Sequence, residues 1–284
     1  MNTVNLSDGT PLPALGLGTW HLGEVARRRR DEVAAVRLAL ELGYRLIDTA
    51  EMYADGGAEE IVGQAIAEAV AAGVVRRDEL FVVSKVYPHN ASRRGVADAC
   101  ARSLKRLALD RIDLYLLHWP GSHPLEQTVG GFESLQAQGR IGAWGVSNFD
   151  ADDMHRLLAA AGGSACAVNQ VYYSLSTRGV EVDLLPWLRS QSMPIMAYSP
   201  LDQGALANSP ALANVARRLG VTRSQIALAW LIAQPGVIVI PKAVRESHLR
   251  ENLAAAELRL TQADHAEIES SFPPPRQKVP LAML

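Results

Sequence analysis

Apolar and polar positions alternate along this chain in two rhythms. Short apolar runs, closed off by polar, Gly or Pro residues, recur at a regular beat: "LGLGTW", "YRLIDTA", "LFVVSKV", "IDLYLLHW", "GAWGVSN", "CAVNQVY", "MPIMAYSP" and "VIVIPKA". Each is short and apolar enough to be a strand buried on both faces, as parallel strands are. Between them lie longer segments with helical periodicity, from "RRDEVAAVRLALELG" and "GAEEIVGQAIAEAVAAG" to "RESHLRENLAAAE" and "TQADHAEIESSF". Several close on Gly, the residue that most readily adopts the left-handed turn ending a helix. Ahead of them, "TVNLSDGTPLP" places Asp8-Gly9 between two extended stretches and predicts a hairpin. Strands alternating with helices in this way predict an α/β protein, a (β/α)8 barrel with a short N-terminal hairpin. An open doubly wound sheet is the competing arrangement.

Composition narrows this picture. At 284 residues the chain suits one large barrel, so a single domain over 1–284 is expected. A formal charge of −2 offers no basic excess for nucleic acid, and no apolar run of about 18 residues suggests a membrane span. The run Arg27–Arg30, followed by Asp31 and Glu32, reads as a solvated helix start. Cys100 and Cys166 sit in small, apolar surroundings and read as reduced core thiols. "MNTVNLSDGTPLP" lacks a signal peptide's basic start and apolar core, so a cytoplasmic protein is expected. Nothing demands more than a monomer.

The chemistry gathers where the strands stop. Polar residues close the runs: Asp48, Lys85, His118, Ser147 with Asn148, Asn169 with Gln170, Tyr198 and Lys242. Any one of them has a structural explanation, such as a cap or a satisfied core histidine. Together, at the end of a barrel where active sites form, they predict a shared polar pocket. Asp48, Tyr53, Lys85 and His118 form a chemically coherent set. A free phenol titrates near 10, and a lysine ammonium at about 4 Å contributes roughly 4 kcal/mol at an effective dielectric of about 20. That would lower the phenol by about three pKa units, into the range useful for general acid catalysis. The buried lysine in turn needs a carboxylate such as Asp48 to keep its proton. A neutral histidine can orient a substrate oxygen. Such a set suits donating a proton to an oxygen that gains negative charge, as in carbonyl reduction. A metal hydrolase using Asp48, His118 and His123 is the alternative, although Tyr53 and Lys85 would then go unexplained. A non-catalytic nucleotide-binding module is another.

"GYRLIDTAEMY", "SKV", "LLHWP", "GVSNF", "NQVYYSL", "AYSPL" and "IPKAVRESHLREN" occur in an order that resembles the aldo-keto reductases. The resemblance runs over essentially the whole chain, and its texture is similar to bacterial reductases of methylglyoxal and other small aldehydes. It implies a barrel that binds NADPH without a Rossmann glycine fingerprint. It also implies Tyr53 as general acid, Lys85 and Asp48 as the groups that tune it, and His118 as the group that orients the carbonyl. Ser147, Asn148 and Gln170 match positions that hold the nicotinamide carboxamide, and Tyr198 the aromatic that stacks on the ring. Ser199, Leu201 and Gly204 match the loop crossing the pyrophosphate, Lys242 the cation at the adenosine 2′-phosphate, and Asn252 the adenine-binding amide. Trp20, Tyr87 and Trp119, with Met52 as a neighbour, are expected to line a pocket for small aldehydes and dicarbonyls. Two positions depart from the pattern: Ala243 replaces a serine, and His248 an arginine, both expected at the phosphate. The preference for NADPH should therefore be weaker or pH-sensitive, with NADH as the alternative cofactor.

Overall fold

Residues 2–284 are described by a computed structural model. The Asp8-Gly9 turn joins β1 (Thr3–Asn5) to β2 (Pro11–Pro13), antiparallel and in register with Val4 opposite Leu12. Gly9 takes a φ of 88°, and the Asp8 carboxylate accepts from the Thr10 amide at 2.9 Å. The predicted hairpin is therefore present, and it leads into eight parallel strands.

These are β3 (Leu17–Gly18), β4 (Leu46–Asp48), β5 (Phe81–Val86), β6 (Ile112–Leu117), β7 (Ile141–Ser147), β8 (Asn169–Tyr172), β9 (Ile195–Tyr198) and β10 (Val237–Val239). Each pairs with the next in sequence order. The sheet also closes on itself. Leu15 bridges Val239 and Gly18 bridges Lys242, with the Gly16 amide donating to Val239 O at 2.8 Å. Closure brings the backbone of Gly18 so near Ile240 that a Cβ would stand 2.7 Å from its carbonyl oxygen. Only glycine fits that seam. Closure excludes the open-sheet alternative.

Ten α-helices occur among the described residues: α1 (Arg29–Leu42), α2 (Gly57–Ala71), α3 (Arg93–Leu107), α4 (Leu125–Ala137), α5 (Ala151–Ala159), α6 (Leu184–Ser190), α7 (Ala213–Leu219), α8 (Arg223–Ile232), α9 (Glu246–Ala255) and α10 (Gln262–Ser271). Their ends follow local chemistry. Gly43 ends α1 at a φ of 106° and Gly220 ends α7 at 67°. Asp150, Thr222 and Thr261 cap α5, α8 and α10 through reciprocal capping boxes. None of the helices is long and apolar enough to cross a membrane among the described residues. Arg27 and Arg28 lie exposed just ahead of α1, as the solvated reading required. The stretch "GVEVDLLPWLRSQ" is not one continuous helix. It divides into a short 3-10 turn at Gly179–Glu181 and the helix α6.

Two apolar clusters hold the barrel. The larger lies between strands and helices and includes Val36, Ile61, Tyr115, Phe132, Trp144 and Trp230. The smaller fills the barrel interior with Leu46, Val83, Leu114, Leu116, Val168, Met196 and Ile238, and the hairpin contributes Leu6 and Leu12 to it. Ser7 fastens the hairpin to the start of β8, its hydroxyl donating to Cys166 O at 2.8 Å. The hairpin thus plugs one end of the barrel. The chemistry sits at the other.

Candidate active site

The strand ends that carry polar residues open into a cavity of about 620 Å³. Its lining includes Trp20, Asp48, Met52, Tyr53, His118, Trp119, Ser147, Asn148, Gln170 and Tyr198, then Ser199, Leu201, Gly204, Lys242, His248 and Asn252. Lys85 is fully buried behind this wall. Tyr87 does not reach it. Its ring packs edge-on to Trp119 at 5.8 Å and tilts over His89, so Tyr87 braces a residue of the lining.

Lys85 projects from β5 toward β4, which ends at Asp48, and its three N–H bonds find fixed acceptors. Its ammonium reaches the two Asp48 carboxylate oxygens at 2.7 and 2.9 Å, Thr49 O at 3.0 Å and the Tyr53 hydroxyl oxygen at 3.2 Å. Because that bond ends on the phenol oxygen, the phenol's own hydrogen is free to point elsewhere. The Tyr53 ring lies 5.9 Å from the His118 ring. Burial forces the His118 imidazole well below its usual range, and the Lys85 charge adds to this, so the ring is neutral. Its Nδ1 is enclosed without a partner. A buried N–H left unpaired costs more than an unpaired acceptor lone pair, which places the hydrogen on Nε2.

The geometry corrects one electrostatic expectation. Lys85 does not pull the Tyr53 phenol down toward neutrality; the phenol is raised well above its ordinary value, by burial first and by the Asp48 carboxylate second. The ammonium expected to lower it is neutralised by Asp48 at 2.7 Å. The half-buried phenol therefore faces a neutral pair and keeps its proton. Burial also pulls the Lys85 ammonium down, while Asp48 and Glu59 push back.

The Tyr53 loop is built from unusual backbone. Ala54, Asp55 and Gly56 follow it with φ values of 51°, 50° and 92°. Arg106 from α3 presses on this turn, its Nε standing 2.3 Å from where a Gly56 Cβ would lie. The same guanidinium donates to the buried Glu59 carboxylate at 2.6 Å, and the Ser84 hydroxyl donates to the other Glu59 oxygen at 2.6 Å. Glu59, Ser84 and Arg106 escaped the sequence reading. A signal was present: Glu59, Val62, Gly63 and Ile66 share one helical face, which makes Glu59 an acid on a buried stripe.

Along the next strands the expected cofactor residues converge. The Ser147 hydroxyl donates to Gln170 O at 2.9 Å, and the Asn148 amide donates to His118 O at 3.0 Å and to Ser147 Oγ at 3.2 Å. The Tyr198 hydroxyl donates to Asn148 Oδ1 at 2.9 Å. Gln170 has a second engagement that its position in the sequence does not reveal, donating to Asp48 Oδ1 at 2.7 Å. Asn169 faces away, its amide holding Phe149 O at 2.8 Å. Beyond Tyr198 the loop turns through Ser199, Asp202, Gln203 and Gly204, all at positive φ. Asp202 is held there by the Tyr172 and Ser176 hydroxyls.

The far end of the cavity is walled by Lys242 and by one face of α9 with the residue before it: Arg245, His248, Glu251 and Asn252. Ala243 is buried in the core and presents nothing to it. Arg245 and His21 were absent from the expected lining. The tail, which forms no helix or strand, returns to place Met283 and Leu284 on the wall. His123 lies outside, its ring against His89 O at 3.3 Å, so the alternative set of Asp48, His118 and His123 is not brought together.

This donor set fits a nicotinamide dinucleotide: amides and an aromatic ring at one end, cations and an amide at the other, in a cavity that also holds a half-buried phenol. The chain is similar to known proteins along nearly its whole length. A family model described as the aldo/keto reductase family matches residues 14–272. Methylglyoxal reductase YeaE of Escherichia coli is 47% identical over 99% of this chain and 98% of its own. An aldo/keto reductase from Klebsiella pneumoniae, solved with NADP and acetate, superposes with a TM-score of 0.94 at 46% identity, covering 99% of both chains. A second structure from that organism, solved with NADPH, also gives 0.94 at 46% identity over 100% of this chain and 99% of its own. With a closed barrel, a phenol–lysine–carboxylate–histidine cluster at its mouth and a family match across that whole architecture, the chain belongs to the aldo/keto reductase family.

Proposed function

We propose that this chain reduces small aldehydes and dicarbonyls of the methylglyoxal type to alcohols, with NADPH as reductant. The single observation that carries this reading is the Tyr53 hydroxyl, open to the cavity and backed by Lys85 at 3.2 Å. The relatives' activity toward methylglyoxal supports the substrate class, and the structures solved with NADP and NADPH support the cofactor. When bound, NADPH supplies a hydride to the carbonyl carbon.

The residues of this chain do the rest. His118 donates from Nε2 to the carbonyl oxygen and fixes its direction. As the oxygen gains negative charge, Tyr53 transfers its hydroxyl proton to it, giving the alcohol. Lys85, already bonded to the phenol oxygen, stabilises the negative charge left on that oxygen, and Asp48 keeps the ammonium in place. Ser147, Asn148 and Gln170 hold the carboxamide, Tyr198 supports the ring, and Ser199, Leu201 and Gly204 pass over the pyrophosphate. Lys242, His248 and Asn252 sit at the adenosine end. Trp20 and Trp119 close the substrate side and exclude water. We place this single barrel domain, residues 1–284, in the cytoplasm as a monomer; two free, buried cysteines agree with a reducing compartment.

Loss of absorbance at about 340 nm, with methylglyoxal and an aromatic aldehyde as paired substrates, tests this directly. Tyr53→Phe should lower kcat by roughly 10²- to 10⁴-fold, the usual contribution of a positioned general acid, with NADPH affinity nearly unchanged. Tyr53→Phe with most of its turnover intact would remove Tyr53 as the proton donor. Tight cofactor binding without turnover in the wild type would make the chain a sensing module instead.

A further inference from the structure

We infer that Tyr172 is a positioning residue for the dinucleotide, its ring backing Tyr198 and its hydroxyl holding the Asp202 carboxylate back from the diphosphate. The inference rests on the dinucleotide reading above and concerns a residue behind the cavity wall.

Tyr172 ends β8 directly opposite Tyr198, the last residue of β9. Side chains of directly opposed residues stand side by side on one face of a sheet. Here the two rings lie 5.6 Å apart and 18° from parallel. Tyr198 lines the cavity, whereas Tyr172 is buried and does not. With the Tyr172 ring against it and its own hydroxyl donating to Asn148 Oδ1 at 2.9 Å, the Tyr198 ring is fixed in plane and in direction.

The Tyr172 hydroxyl reaches further, to the loop that follows β9. It donates to one Asp202 carboxylate oxygen, and the Ser176 hydroxyl donates to the other at 2.9 Å. Burial first and the Asp202 carboxylate second push the Tyr172 phenol up to about 12, so it stays a donor at neutral pH. Both oxygens of Asp202 are thus occupied from the end of β8 and the turn after it. The backbone needs such a hold. Asp202 and Gln203 are consecutive residues at a φ of 51°, left-handed backbone that persists in residues with a Cβ only where the surroundings fix it. The outcome is visible in the wall: Leu201, Gln203 and Gly204 line the cavity, and Asp202 does not. A loop placed to cross a diphosphate therefore carries an acid that is turned out of its path. Released, that carboxylate would be free to face a group of its own charge, and like charges at close quarters repel.

Isothermal titration calorimetry of the full chain with NADPH, NADH and adenosine 2′-monophosphate tests this without turnover. Tyr172→Phe keeps the ring and removes the hydroxyl. It should weaken NADPH and NADH alike by roughly 3- to 20-fold, the scale of one partly screened contact between like charges. Adenosine 2′-monophosphate, which has no diphosphate, should stay within about twofold of its wild-type affinity. Asp202→Asn removes the charge, so the double variant should bind NADPH within about twofold of Asp202→Asn alone. A purely structural role for the hydroxyl would not be relieved by that second change. Unchanged dinucleotide affinity in Tyr172→Phe would overturn the inference. So would a loss that persists in the double variant, or an equal loss for the monophosphate. Wild-type protein that binds neither dinucleotide would overturn the dinucleotide reading, and this inference with it.

Discussion

Tyr53 and His118 reach the same working state at neutral pH by opposite shifts. Burial raises the phenol and lowers the imidazole, so the first keeps its proton and the second stays uncharged. Tyr53 is active below its raised pKa and His118 above its depressed one. The profile of kcat/KM between about pH 6.5 and 9 should therefore be flat, with no inflection near the ordinary histidine value of about 6.5. An inflection within that window, lost in His118→Gln, would mean that the imidazole titrates in the free enzyme. At this scale the sequence exposed the identities and not the electrostatics. Asp48, Tyr53, Lys85 and His118 were legible because polar residues at strand ends contradict their apolar runs. The direction of the Tyr53 shift was not, since it depends on Asp48 lying 2.7 Å from the charge that would have lowered the phenol. Tyr87 shows the same limit. An aromatic after a strand can face a pocket or brace its neighbour, and only its edge-on contact with Trp119 decides.

Among elements, the informative one is the turn between β4 and α2. Ala54 and Asp55 occupy left-handed backbone that residues with a Cβ adopt reluctantly. The Arg106–Glu59 pair holds them there from behind, with Glu59 fully buried and Arg106 mostly so. Removing one member of a buried pair strands the other's charge, so Glu59→Ala should destabilise the fold by about 3–5 kcal/mol. Urea unfolding measures this, and a midpoint close to wild type would show that the pair is dispensable. Strand and helix order were legible because their two periods differ. The exact strand ends, the 3-10 turn at Gly179–Glu181 and the backbone of this turn were not. They are set by contacts between segments distant in the chain, such as α3 against the Tyr53 loop.

For the molecule as a whole, acid is the weak side. An imidazole held below its unfolded value of about 6.5 binds its proton more readily when the chain unfolds. Its contribution to stability is complete above that value and falls away as pH drops toward the native pKa. The melting temperature should decline below about pH 6.5, and His118→Gln should flatten part of that decline. A wild-type melting temperature constant down to about pH 5 would contradict it. Barrel closure itself was legible only as an expectation from strand count. The seam at Gly18 and Lys242 decides it, and no periodicity reports a seam.

The hairpin at the sealed end has a practical consequence. Gly9 crowns an exposed turn with no atom within 4 Å of a Cβ built on it, and the hairpin meets the barrel interior from the side opposite the cavity. A tether to a solid support inserted at that turn would orient every molecule alike, cavity mouth outward. The catalyst could then be packed in a flow column with its sites facing the stream.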